Sequence, residues 1–151
     1  MSAYRLVRVG AVDWRHPAWR GAFYPEDMPE AWMLSYYNTQ FSAVYLPADV
    51  WQAASPDAWA QWLYDTRDDF HFILAPGDPG VAPPASERVR VADADWVAAH
   101  LWWLDDAPDL RALSQRIARQ AASSEPLYVI SRGGDLARMH EADTLRQVMG
   151  Y

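Results

Sequence analysis

The sequence predicts an α/β protein, with about five parallel strands alternating with helices in one sheet. Apolar runs of strand length recur at residues 4–12, 41–46, 70–75, 99–104 and 127–130. Between them lie segments with apolar residues at helical spacing, and Pro or Gly punctuates most of the junctions. Strands and helices in strict alternation require parallel pairing through right-handed crossovers. At 151 residues the chain has the size of one domain able to bury a core, and residues 1–151 are read as a single domain.

The first strand, residues 4–12, carries Leu6, Val7 and Val9 and ends in the small pair Gly10 and Ala11. Residues 13–29 hold Trp14, His16, Trp19, Phe23 and Tyr24 among several prolines. That is too interrupted for a helix and too aromatic for a solvated linker, so an ordered, packed loop is expected. Pro29 opens a helix through Asn38, with Trp32, Met33, Tyr36 and Tyr37 as its apolar face. Pro47 stops the second strand. Ser55 and Pro56 then form an N-cap and first helical position, followed by Trp59, Trp62 and Leu63 at i, i+3 and i+4. After a third strand at 70–75, the Pro and Gly cluster at 76–84 reads as a loop. Residues 88–91 fit a short strand and 92–98 a helical turn, with a strand favoured at 99–104. Leu110, Leu113, Ile117 and Ala121 mark the next helix face. A strand at 127–130, the turn Gly133-Gly134 and a last helix from Asp135 to Met149, capped by Gly150, complete the chain.

Composition removes whole mechanisms. All 13 basic residues are Arg, and there is no Cys. Schiff-base, pyridoxal phosphate and Walker-type nucleotide chemistry need Lys, while thiol catalysis, zinc fingers and disulfide scaffolds need Cys. A formal charge of -7 argues against nucleic acid and anionic lipid as partners. No apolar run has the roughly 20 residues of a membrane span, and the start lacks the pattern of a signal peptide. A cytoplasmic protein without membrane contact and without a cofactor is the expectation.

The order of motifs resembles a known family. A strand followed by Trp14, then Trp19-Arg20-Gly21-Ala22-Phe23-Tyr24-Pro25, then Trp32 with Tyr36-Tyr37 and a strand at Phe41, is similar to the YecE-like family, domain of unknown function 72. The similarity continues through Ser55-Pro56, Trp59, Trp62, Phe70 and Phe72, and more weakly over residues 101–132. It implies a TIM-barrel ancestor, a fold of about 250 residues and eight strand-helix units. This chain has room for about five units, so the resemblance implies a truncated TIM-barrel-like sheet, or else an open doubly wound one. An exposed edge on either would invite pairing.

The departures from the family pattern fall at strand C-termini, where a barrel builds its site. Gly10-Ala11-Val12-Asp13-Trp14 stands where relatives read G-T-S-G-W, and Val44-Tyr45-Leu46-Pro47 stands where they read V-E-I-N. The family's Lys at the end of strand three falls near Ala75 and is absent. Of a pattern resembling E-F-R-H-P-x-W only Arg132 survives, in Ile130-Ser131-Arg132-Gly133-Gly134. The ancestral polar equipment is thus read as largely replaced.

Residue chemistry leaves two readings. His16, His71, His100 and His140 show no metal-ligand spacing, and no metal is expected. His16 with Asp13 makes a possible pair at the sheet mouth, and Arg132 beside Gly133-Gly134 offers a donor fork and backbone N–H groups to an anion. A structural ion pair of Arg132 with Asp13, Asp105 or Asp106 is the competing account. The candidate pocket therefore comprises Asp13, Trp14, His16, Trp51, Asp105 and Arg132, and would serve a hydrolase-like or small-molecule-binding protein. Nine Trp exceed the usual share, and Trp19, Trp102 and Trp103, with Trp14 and Trp51, are the kind that line interfaces. The favoured reading is a non-catalytic protein that forms a homodimer, or binds a protein partner, through an aromatic face.

Overall fold

In the computed structural model, which describes residues 5–151, six strands rather than five form the sheet. They are β1 (Val7–Val12), β2 (Ala43–Leu46), β3 (His71–Leu74), β4 (Val89–Val91), β5 (Leu101–Trp103) and β6 (Leu127–Ser131). The extra strand is β4, at residues that fitted a short strand but at three residues are too few for apolar periodicity to separate from loop, whereas β5 lies within the strand favoured at 99–104. The expected start of β1 at Tyr4 lies outside the described residues. All pairings are parallel.

The helices are α1 (Glu30–Gln40), α2 (Ala48–Ala53), α3 (Pro56–Asp65), α4 (Ala94–His100), α5 (Leu110–Ser123) and α6 (Leu136–Met149). Sequence reasoning missed α2 because Pro47, taken as a strand terminator, also stands at the N-cap of a helix too short to show a period. Ser55 caps α3 by accepting the Ala58 N–H, and Asp109 and Asp135 cap α5 and α6 in the same way. On α1 the buried stripe is Met33, Leu34, Tyr37 and Asn38, so Trp32, expected inside, is 64% exposed.

The strand order is β4-β3-β2-β1-β6-β5. Each step from β1 to β4, and again from β5 through β6 to β1, runs in one direction across the sheet. A doubly wound sheet reverses direction at its switch point; this one does not, so it is a barrel order opened between β4 and β5. Curling is visible in contacts that a flat sheet forbids. Three strand spacings of roughly 4.8 Å separate β3 from β6, yet His71 Nδ1 and the Tyr128 hydroxyl are 2.6 Å apart. The rings of Tyr45 on β2 and Trp103 on β5, also three strands apart, have centroids at 5.2 Å.

The two faces bury different partners. On the convex face Val9, Val44, Leu46, Phe72, Leu74 and Val129 join α1, α3, α5 and α6 in the main core. On the concave face Ala43, Ile73, Leu101, Tyr128 and Ile130 are covered by α4 through Trp96 and Val97. The β3–β4 connection has no helix. It is the Pro-rich loop, whose far end is tied down by Arg88: Nε donates to Phe70 C=O, Nη1 to Leu63 C=O and Nη2 to the Thr66 hydroxyl.

Candidate functional site

The strand C-termini gather the polar residues singled out from sequence, and the structure places each beside a chain-internal partner. Asp13 follows β1 with φ 61, a left-handed conformation that Gly adopts freely. It occupies the position where the resembling family pattern has Gly. Its carboxylate compensates locally, accepting hydrogen bonds from Trp14 N (2.6 Å), Arg15 N (2.9 Å) and the Arg15 guanidinium (both 3.0 Å). Burial pushes this carboxyl up, but the bonds and charge of Arg15 outweigh that and hold it below the usual carboxylate range.

Asp13 and His16 do not form the pair considered from sequence, because the Arg15 fork has taken the carboxylate. His16 Nε2 instead lies 2.6 Å from Val12 C=O, and its ring stacks on Trp19 at 4.3 Å. Both rings crowd Gly134, where a Cβ would stand 2.9 Å from His16 Cε1 and from Trp19 Cζ2. Gly134 has φ 66, so conformation and space both demand glycine there.

Arg132 leaves β6 at the same mouth. Its guanidinium lies 3.6 Å over the Trp103 ring, and Nη2 is 3.5 Å from Asp106, with both partners half or more exposed. Of the three carboxylates considered as its partner, Asp106 is the one in contact. Asp105 does something else: its two oxygens accept the N–H groups of Arg132 (3.2 Å) and Gly133 (2.8 Å). The donor cradle expected to receive an external anion therefore holds an anion of the chain itself. Tyr45 completes the cluster against Trp103; burial raises its phenol, and the Arg132 charge works against that shift. Tyr45 had no place in the sequence-derived site, although its position, where the family pattern has a carboxylate, was a usable signal.

The remaining candidates lie elsewhere. Trp14 is buried against Trp62 on the convex side, with Arg15 over its ring. Trp51 is buried on α2, donating its indole N–H to Ala75 C=O. Trp19 is also buried and donates to Gly134 C=O. These three cannot face a partner from the folded domain, a correction to the interface reading. Trp102 and Trp103, both half-buried on edge strand β5, point to opposite faces, Trp102 into the convex core and Trp103 into the concave one.

Chemically the mouth is self-satisfied. Among the described residues no group of three or more His, Cys, Asp or Glu is placed to hold a metal ion, and no helix is long and apolar enough to cross a membrane. Residues 8–76 match the family model described as protein of unknown function DUF72. Among solved structures the chain is similar to a DUF72 family protein from Thermotoga maritima, with 18% identity and a TM-score of 0.42. That alignment covers 83% of this chain and 43% of the other, so this chain spans less than half the length of that relative. No curated protein matches.

Proposed function

We propose, starting from the match of residues 8–76 to the DUF72 family model, that the chain acts without catalysis, by joining a second copy of itself along the open edge of the half-barrel. One observation supports this above others: the polar residues at the strand ends are consumed by one another, while the aromatic edge beside them is only half covered. Asp13 is held by Arg15, Asp105 by backbone N–H groups and Arg132 by Asp106. No nucleophile and base stand within hydrogen-bond reach of each other in that set. Trp103, half-buried on the edge strand β5 that is bonded on one side to β6, and Tyr45 of β2, half-buried against its ring, are what a partner would cover.

The test is solution mass by light scattering over a dilution series, for the natural chain and for Trp103→Ala. A dimer that persists on dilution and is weakened by Trp103→Ala is expected. A monomer at every concentration overturns the proposal and turns attention to a different protein partner.

A second reading rests on Arg132 itself, stacked on Trp103 and more than half exposed. An anionic small molecule could exchange with Asp106 for that fork of donors. Arg132→Ala would then abolish binding with the fold intact; if the variant merely unfolds, this reading loses its support.

A further inference from the structure

The opposite end of the half-barrel carries a polar hole that none of the motifs above predicts. It lies where the chain enters β1 and β2, beside the α3–β3 connection and the last turns of α6, with a volume of about 200 Å³. Arg5, Arg67 and Arg146 line it from three distant parts of the sequence, with Asp69 and Asp143 among them. Formal charge there is one unit positive, in a chain whose net charge is -7.

The aspartates do not use up the arginines. Arg5 meets Asp69 only at 3.9 Å. Arg146, nearly buried, gives Nε to Asp143 at 2.7 Å, while its Nη groups are engaged by no described residue. Arg67 is exposed, and its side chain has no ion-pair partner among the described residues. Ser42 adds an independent sign. It lines the same hole, is 4% exposed, and its hydroxyl is the buried side-chain polar atom without a hydrogen-bond partner among the described residues. Buried hydroxyls are normally satisfied, and this one is left open on a residue lining a hole that unengaged guanidinium groups also line.

We propose that this hole binds a small oxyanion, a phosphate group, with Arg67 and Arg146 as the charged forks and the Ser42 hydroxyl as a neutral donor. Arg is suited to phosphate through paired N–H donors. The hole is smaller than the roughly 300–1,000 Å³ of sites for drug-sized ligands, so one phosphate group fits the space better than a nucleotide. The site is separate from the Arg132 mouth, being at the other end of the strands.

Titration of the full chain with inorganic phosphate and, separately, with glycerol phosphate at fixed ionic strength tests it, read by amide NMR shifts and by calorimetry. Saturable binding that moves the amides of residues 38–42 and 67–69 is expected. Arg67→Ala, an exposed change that leaves the fold alone, should weaken binding roughly tenfold or more. Ser42→Ala should weaken binding without lowering stability, since it removes an unsatisfied hydroxyl. The tighter of the two probes identifies the source as the free ion or a phosphate ester. Absence of saturable binding by either, or binding unchanged in both variants, overturns the proposal.

Discussion

Asp13 concentrates a general point about substitution at a strained position: the side chain that creates the strain also offsets it. A non-Gly residue at φ 61 costs on the order of 1 kcal/mol, and Asp13 offsets that cost by bonding Trp14 N, Arg15 N and the Arg15 guanidinium. Asp13→Ala keeps the strain and loses the bonds, whereas Asp13→Gly loses the bonds and the strain together. Urea unfolding should therefore find Asp13→Gly the more stable of the two by about 1 kcal/mol; equal midpoints would contradict this account. Tyr37 is a different case, a side chain doing backbone work. Its hydroxyl accepts from Ala11 N at 2.9 Å and donates to Ala43 C=O at 2.6 Å, standing in the β1–β2 ladder where a direct bond would run. Gly10 permits the arrangement, because a Cβ there would meet Ala43 C=O at 1.9 Å. Complete burial raises the phenol, and hydrogen bonding from Ala11 N works against that shift. Tyr37→Phe leaves two buried backbone groups without a partner and should cost about 2 kcal/mol, while Trp32→Ala, an exposed change on the same helix, should stay within about 0.5 kcal/mol.

At the scale of elements, β3 and β6 communicate across the concave face through His71 and Tyr128. His71 Nδ1 and the Tyr128 hydroxyl share a hydrogen bond whose direction the imidazole tautomer sets, and burial, aided by the charges of Arg8, Arg90 and Arg88, pushes the imidazole down to about 3. Its free value is near 6.5. As pH falls below 6.5, the unfolded chain takes up a proton that the folded chain refuses, so stability declines on acidification until about pH 3. The slope for one proton is at most about 1.4 kcal/mol per pH unit, and less here because His71 is only partly buried. Between pH 6.5 and 5, above the carboxylate range, the urea midpoint of the natural chain should fall, and that of His71→Gln should fall less. Parallel lines for the two proteins would remove His71 from the account. The elements themselves were legible in proportion to their length: α3, α5 and α6 carry caps and periodic faces that sequence displays, whereas β4, β5 and α2 are too short to have a period. The polar site was less legible, because a residue type says what it offers and not who claims it. Asp105 was readable as a carboxylate at a strand end, but its capture of the Gly133 N–H depends on how tightly the β6 turn folds back.

For the whole molecule, the opening between β4 and β5 decides what must be stable and what need not be. Nine Trp suggested surplus aromatic surface, but the chain folds back so that indole N–H groups find carbonyls, as Trp19 does with Gly134 and Trp51 with Ala75. That rests on contacts between residues far apart in the chain, which spacing does not encode. What remains open is the concave face, and α4 crosses it. Trp96 lies against Tyr128 at 5.2 Å and against His100 at 5.3 Å, and with Val97 it covers Leu101 and Ile130. The seal belongs to one short helix, while the convex face is shared by several. Trp96→Ala should thus cost about 2 kcal/mol, below the full penalty for a buried Trp because this one is half-buried. Its effect should also be local. Hydrogen exchange in the natural chain should be slowest in β1, β2 and β6 and faster in the three-residue edges β4 and β5. In Trp96→Ala the amides of β5 and the adjoining face of β6 should speed up most, with β2 nearly unchanged. Uniform acceleration across all six strands would mean that α4 belongs to the same cooperative unit as the convex core, and the half-barrel would then open only as a whole.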